Sequence, residues 1–210
     1  MALPDSLQDG YRRFKGEAFS AQQRRYESLA AQGQSPATLV IACCDSRVDP
    51  AAIFDAEPGE LFVIRNVANL VPPFAPDGDY HGTSAGIEFA VTGLKVRHIL
   101  VMGHAQCGGI KAALESDLSG VDQDSFVKKW MTLVADAKQD VMTIDDPAAR
   151  QTALEEAAIR ASLVNLMTFP YVADAVNAGQ LTLHGAHFGI KDGHLSILDP
   201  ETGAFTDAKS

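Results

Sequence analysis

Two cysteines and one histidine in this chain have the types and spacing of a zinc centre with one position left open. His104 and Cys107 stand three residues apart in the run GHAQCGG (103–109), and Cys43 opens the run CCDSRVDP (43–50). Thiolate and imidazole suit zinc, and three protein ligands instead of four leave a tetrahedral position for water or substrate, which marks a catalytic site. The H-x-x-C spacing lets both side chains converge from one tight turn, where Gly108 and Gly109 relieve crowding. A helix starting at those glycines would aim free N–H groups and a positive dipole end at the site. Neighbouring residues of extended chain point to opposite sides, so only one of Cys43 and Cys44 faces a metal. Spacing does not choose between them; the other serves as a small buried hydrophobe.

Asp45 and Arg47 can project to one side of the loop that follows. Taken alone they read as an ion pair bracing a strand exit. Beside a zinc-bound water, Asp45 would accept the hydroxide's hydrogen and orient its lone pair, while Arg47 keeps Asp45 ionised and aligned. Such help has a physical reason. Two thiolates cancel the formal charge of Zn²⁺, so its water is acidified less readily than in an all-histidine site. The run RNVAN (65–69) either supplies hydrogen bonds at the cleft or caps a loop. His81, His98, His184, His187 and His194 read as surface or packing histidines, and Glu57 and Glu60 as solvated flanks of a Pro-Gly turn.

The elements that must position these residues follow from the apolar pattern. TLVIA (38–42), LFVIR (61–65) and HILVMG (98–103) are short β-branched runs of the kind buried on both faces of a sheet. Thr83 or Ser84 can cap a helix through IEFAVTGL that ends near Gly93. Helical patterns cover about 109–118, 124–142 and 147–167, and a short one runs through YVADAVNA. QLTLHGAHF and HLSILD alternate around a Gly-containing turn and read as a hairpin. The reading is an α/β fold: a mostly parallel central sheet flanked by helices, an antiparallel C-terminal edge hairpin and an N-terminal helical arm. Ligands of such sheets bind beyond the carboxyl ends of the strands, where Cys43 and His104 both fall.

Residues from about 6 to 31 form a polar helix or helix pair with sparse apolar positions (Leu7, Tyr11, Phe14, Phe19, Tyr26, Leu29), stopped by Gly33 and Pro36. So thin an apolar face suits packing on another subunit. No repeat or linker divides the chain, so residues 1–210 read as one domain with residues 1–33 as its arm. A net charge of −10 argues against nucleic acid and anionic membrane surfaces as partners. The N-terminal residues lack an apolar signal region, and no apolar run is long enough to span a bilayer. Three cysteines, two of them adjacent, make a poor disulfide framework and suit a reducing cytoplasm.

Together these stretches resemble the β-class carbonic anhydrases. The likeness runs from GQSPATLVIACCDSRVDP through EPGELFVIRNVANLVPPF, GTSAGIEFAV, GHAQCGGIKAAL and EEAAIRASLVNLMTFPYV to LHGAHFGIKDG. It implies reversible hydration of CO₂ to bicarbonate and a proton by zinc-bound hydroxide. It selects Cys43, with His104 and Cys107, as ligands of one Zn²⁺ per subunit, and makes Asp45 and Arg47 the catalytic dyad. The substrate pocket would comprise Gln34, Phe62, Val67 and Phe89 with the backbone N–H of Gly108; the glutamine and some aromatics come from the neighbouring subunit. The implied assembly is a homodimer or a dimer of dimers. Phe89 stands where plant members often carry tyrosine. A subgroup that holds bicarbonate at an inhibitory site uses tryptophan, glycine and tyrosine where this chain has Val40, Ala42 and Phe188, so that site is expected to be absent. Alternatives are attack on COS or CS₂ by the same fold and a non-catalytic zinc module. His81 and His187 are proton-shuttle candidates only as groups that titrate near neutral pH. The chain lacks both G-x-G-x-x-G and a P-loop, which disfavours nucleotide binding.

Overall fold

The computed structural model describes residues 3–76, 81–118 and 125–208. The chain opens with two helices, α1 (Asp5–Gly16) and α2 (Ala18–Gln32), neither with a buried residue. Strand β1 (Thr38–Cys43) follows, buried beyond its first residue, and then a one-turn helix α3 (Pro50–Ile53), whose N-cap Asp49 accepts from the Ala51 N–H at 2.8 Å. Next come β2 (Leu61–Asn66), α4 (Gly82–Glu88), β3 (His98–His104) and α5 (Gly108–Glu115). Three helices, α6 (Phe126–Met131), α7 (Ala135–Val141) and α8 (Pro147–Leu166), lead to α9 (Pro170–Asn177). The chain closes with β4 (Thr182–Phe188), β5 (Leu195–Leu198) and β6 (Phe205–Asp207).

The strands form one sheet in the order β2-β1-β3-β4-β5-β6. β2, β1, β3 and β4 run parallel, and β4-β5 and β5-β6 are antiparallel. The mixed sheet with an antiparallel C-terminal edge is the one the apolar pattern predicts; the three-residue β6 was not read from the sequence.

On one face Leu39, Ile41, Ile99 and Val101 pack with Ile87, Ile159, Leu166, Phe169 and Val172 of the α4, α8 and α9 region. Helix α8 lies close to the sheet because β3 and β4 each offer a glycine. A Cβ on Gly103 or Gly185 would meet the Ile159 side chain at 2.8 or 2.9 Å. A second cluster gathers α5, α6, α7 and α8 at the carboxyl ends of the strands and includes Cys43 and Cys107. The opposite face is thinner, with Val40, Ala42 and Met102 packed against Ile53, Phe54, Leu61 and Leu100. No helix among the described residues is long and apolar enough to cross a membrane.

Three local expectations change. Helix α4 starts at Gly82 with His81 in the N-cap position and no side-chain cap, so Thr83 and Ser84 fall inside its first turn, where Thr83 Oγ1 accepts from Asn66 Nδ2 at 3.2 Å. The pattern read as one helix from 124 is broken among the described residues: a 3-10 turn (Thr132–Val134), with Val134 at φ −115°, separates α6 from α7. Glu57 and Glu60 are not simply solvated, since Arg25 of α2 lies 2.5 and 3.3 Å from their carboxylates. That contact pins α2 to the turn before β2.

Candidate metal centre and active site

Cys43 ends β1 and His104 ends β3, and these strands pair directly in parallel, so both side chains emerge at the same edge of the sheet. Cys107 stands at the N-terminus of α5, immediately before Gly108. The ligand atoms of all three lie within 4.8 Å of one another, and all three residues are buried. The two sulfurs are 3.9 Å apart. A tetrahedral zinc with bonds of about 2.3 Å would set them about 3.8 Å apart. His104 Nδ1 donates to the Ala105 carbonyl at 2.9 Å, which fixes the tautomer and turns the Nε2 lone pair inward. Among the described residues Nε2 is the one buried side-chain nitrogen or oxygen without a partner. A buried acceptor aimed beside two thiols is what a bound cation would satisfy, so these residues fit zinc.

The backbone is shaped around the sulfurs. N–H groups of Asp45 and Ala68 face Cys43, and those of Gly109 and Ile110 face Cys107. The hydrogen bond with Cys107 pulls the Cys43 thiol well below its ordinary range despite burial, and the same bond holds the remaining proton on Cys107. The pair gives up one proton readily and the second only to a competing cation. Ala68 (φ 62°), Asn69 (φ 50°) and Gln106 (φ 57°) are left-handed non-glycine residues at this edge, each costing about 1–2 kcal/mol. Asn66 closes the first of these turns by accepting from the Leu70 N–H at 2.9 Å and donating to the Leu70 carbonyl at 2.8 Å. Trp130 Nε1 donates to the Val67 carbonyl at 2.8 Å.

Asp45 is gripped at both oxygens. Arg47 Nε and backbone N–H reach Oδ1 at 2.9 Å, and Arg47 Nη2 reaches Oδ2 at 2.7 Å. These hydrogen bonds hold the carboxyl far below the usual carboxylate range. Asp45 is therefore an acceptor only, oriented by a bidentate partner. Arg65, from the RNVAN run, clamps the loop by donating to the carbonyls of Cys43 (2.9 Å), Asp45 (2.6 Å) and Val48 (3.2 Å). That choice was open in the sequence and is now a loop cap.

Of the residues expected to line a substrate pocket, Val67 and Gly108 lie at this edge. Val67 Cγ1 sits 2.8 Å from where a Cβ on Gly109 would fall, so Gly109 is the glycine that close approach requires. Gly108 is not crowded: nothing lies within 4 Å of its hypothetical Cβ, and it is exposed. Gln34, Phe62 and Phe89 lie elsewhere. Phe62 pairs in register with Leu39, near the start of β1. Helix α4 runs back along β2, so Asn66 meets Thr83, Ile64 meets Gly86, and Phe62 meets Phe89 with ring centroids 5.8 Å apart. Exposed Gln34 precedes β1 altogether. The four residue steps from Leu39 to Cys43 put Phe62 about 13 Å along the sheet from the metal edge of its own protomer. Val40 and Ala42 are fully buried, and Phe188 offers its carbonyl to the Ala105 N–H at 2.9 Å. Cys44 is exposed, not a buried hydrophobe.

The sequence reading missed Glu155. It interrupts the apolar stripe of α8 (Leu154, Ala158, Ile159, Leu166), and that charged residue on a buried face was the available signal. His187 is not a solvent-facing shuttle: it is buried, with Nε2 3.0 Å from Glu155.

A family model described as carbonic anhydrase matches residues 38–195. A carbonic anhydrase of Pseudomonas aeruginosa is 40% identical over 199 residues, covering 94% of this chain and 88% of that protein. The solved β-carbonic anhydrase CcaA superposes with a TM-score of 0.89 at 30% identity, covering 98% of this chain and 92% of that one. A Coccomyxa β-carbonic anhydrase, solved with acetazolamide, gives 0.78 at 30% identity over 99% and 94%. A tetrameric β-carbonic anhydrase of Sordaria macrospora gives 0.78 at 29% identity over 96% and 98%.

Proposed function

The chain belongs to the β-class carbonic anhydrases, enzymes of reversible CO₂ hydration, and from that premise we propose that zinc is the metal of its Cys43, His104 and Cys107 centre. The observation that carries this is the partnerless Nε2 of His104 facing two sulfurs at tetrahedral spacing. Bound there, zinc would supply a Lewis acid that makes water a nucleophile near neutral pH.

The chain's own residues do the rest. Asp45, with no proton to give, accepts a hydrogen bond only from a protonated oxygen, so it orients the nucleophile with a lone pair toward the carbon. Arg47 keeps Asp45 charged and aligned. Val67 provides an apolar wall for CO₂, and the Gly108 N–H stabilises the charge that develops on its oxygens. Gln34, Phe62 and Phe89 complete the pocket of a second copy, which their position across the sheet supports. The arm of residues 1–33 then packs on that copy, covering Leu7 and Tyr11, now 59% and 62% exposed. The whole of 1–210 acts as one domain in a homodimer or dimer of dimers, in the cytoplasm.

Metal analysis paired with stopped-flow CO₂ hydration tests this reading. One zinc per chain with activity is expected; a metal-free protein of equal activity would sink it.

A further inference from the structure

One peptide unit at the metal edge is held at both of its ends. Gln106 contributes its carbonyl, which accepts from Arg47 Nη2 at 3.3 Å. Cys107 contributes its N–H, which donates to Glu155 Oε1 at 2.9 Å. Between them the backbone is left-handed at Gln106, so this peptide is the one whose rotation would relieve strain and swing the Cys107 sulfur away.

Glu155 is 2% exposed and lies in the α8 stripe that faces the core. Gln151 Nε2 also donates to Oε1, at 2.9 Å, and His187 Nε2 lies 3.0 Å from Oε2. The carboxylate thus has three N–H partners from α8, β4 and the ligand turn. A buried charge that is fully partnered adds little to stability compared with an apolar side chain of similar size. The fold alone gives no reason to keep it in the middle of a hydrophobic stripe.

We propose that Glu155 is a positioning residue of the metal centre, which with Arg47 fixes the 106–107 peptide so that the Cys107 sulfur is at ligand distance before the ion arrives. His187 braces the second oxygen. This rests on the zinc reading above.

The test uses the full chain stripped of metal, with zinc affinity measured by chelator competition and the thiolate-to-cobalt charge-transfer band recorded on cobalt loading. Glu155→Leu and Glu155→Ala should fold and bind zinc about 10–100-fold more weakly, with a weakened or shifted cobalt band. Glu155→Gln keeps an acceptor for the Cys107 N–H and should restore affinity to within a few-fold of the wild type. Unchanged affinity and an unchanged band in a folded Glu155→Leu protein would overturn the proposal. Failure of both apolar variants to fold would overturn it too, because the residue would then serve the fold. Wild-type protein that took up no zinc would remove the zinc reading itself, and this proposal with it.

Discussion

The two ends of the parallel strands differ in how complete they are. At the carboxyl end the backbone and the carboxylate around the ligand set are held from within the chain: Asp45 by Arg47, the Cys43 loop by Arg65, and the Cys107 turn by Glu155. At the other end α1 and α2 bury nothing, Gln34 is exposed, and Phe89 is 52% exposed. One chain therefore gathers Cys43, His104 and Cys107 by itself, while Gln34 and Phe89, proposed for the pocket of a second copy, stand exposed at the far end. Metal binding should be a property of the single chain, and full catalysis a property of two.

The largest expected effect comes from the complete end. Cys43→Ser removes a ligand, so zinc content and CO₂ hydration should vanish together; retention of both would break the contrast. Asp45→Asn should keep its zinc and lose about 100-fold in kcat, separating the ligand set from the group beside it. The exposed end should behave in the opposite sense. Gln34→Ala should leave zinc content unchanged and lower kcat/KM about tenfold. Deleting residues 1–32 should give a monomer by sedimentation that still binds zinc, and a stable dimer would count against the arm's assignment.

The smallest effect is a shift with pH. Arg47 depresses the folded-state pKa of Asp45, so the pair's stabilisation is full above the ordinary carboxylate range and is lost only as pH falls well below it. In Arg47→Ala the carboxyl should return toward about 4. Acid unfolding of the variant should then begin at a higher pH than in the wild type, and an unchanged midpoint would detach Arg47 from Asp45.

Much of this was legible because it depends on short runs. TLVIA and HILVMG announce parallel strands, and a ligand at the end of each must meet its counterpart once those strands pair. Gly109 was readable as a close approach; Gly108 was not distinguishable from it, since the difference lies in Val67, 42 residues earlier in the chain. Glu155 was hidden for the same reason. Its partners Cys107 and His187 are 48 and 32 residues away, and only the packing of α8 against β3 and β4 brings them together. The break at Val134 was invisible to periodicity because the flanking segments keep their apolar face inward, with Met131, Val134 and Val141 all buried.

Cys43 and Cys107 are 64 residues apart in the chain and meet only through the sheet. An unfolded chain therefore has no preformed centre, and whatever free energy the ion gains on binding is added to that of folding. Free zinc at a thousand times its dissociation constant would add about 4 kcal/mol. The melting temperature of this protein would thus depend on the metal supply, and its thermal stability would measure zinc in the medium as well as the quality of its packing.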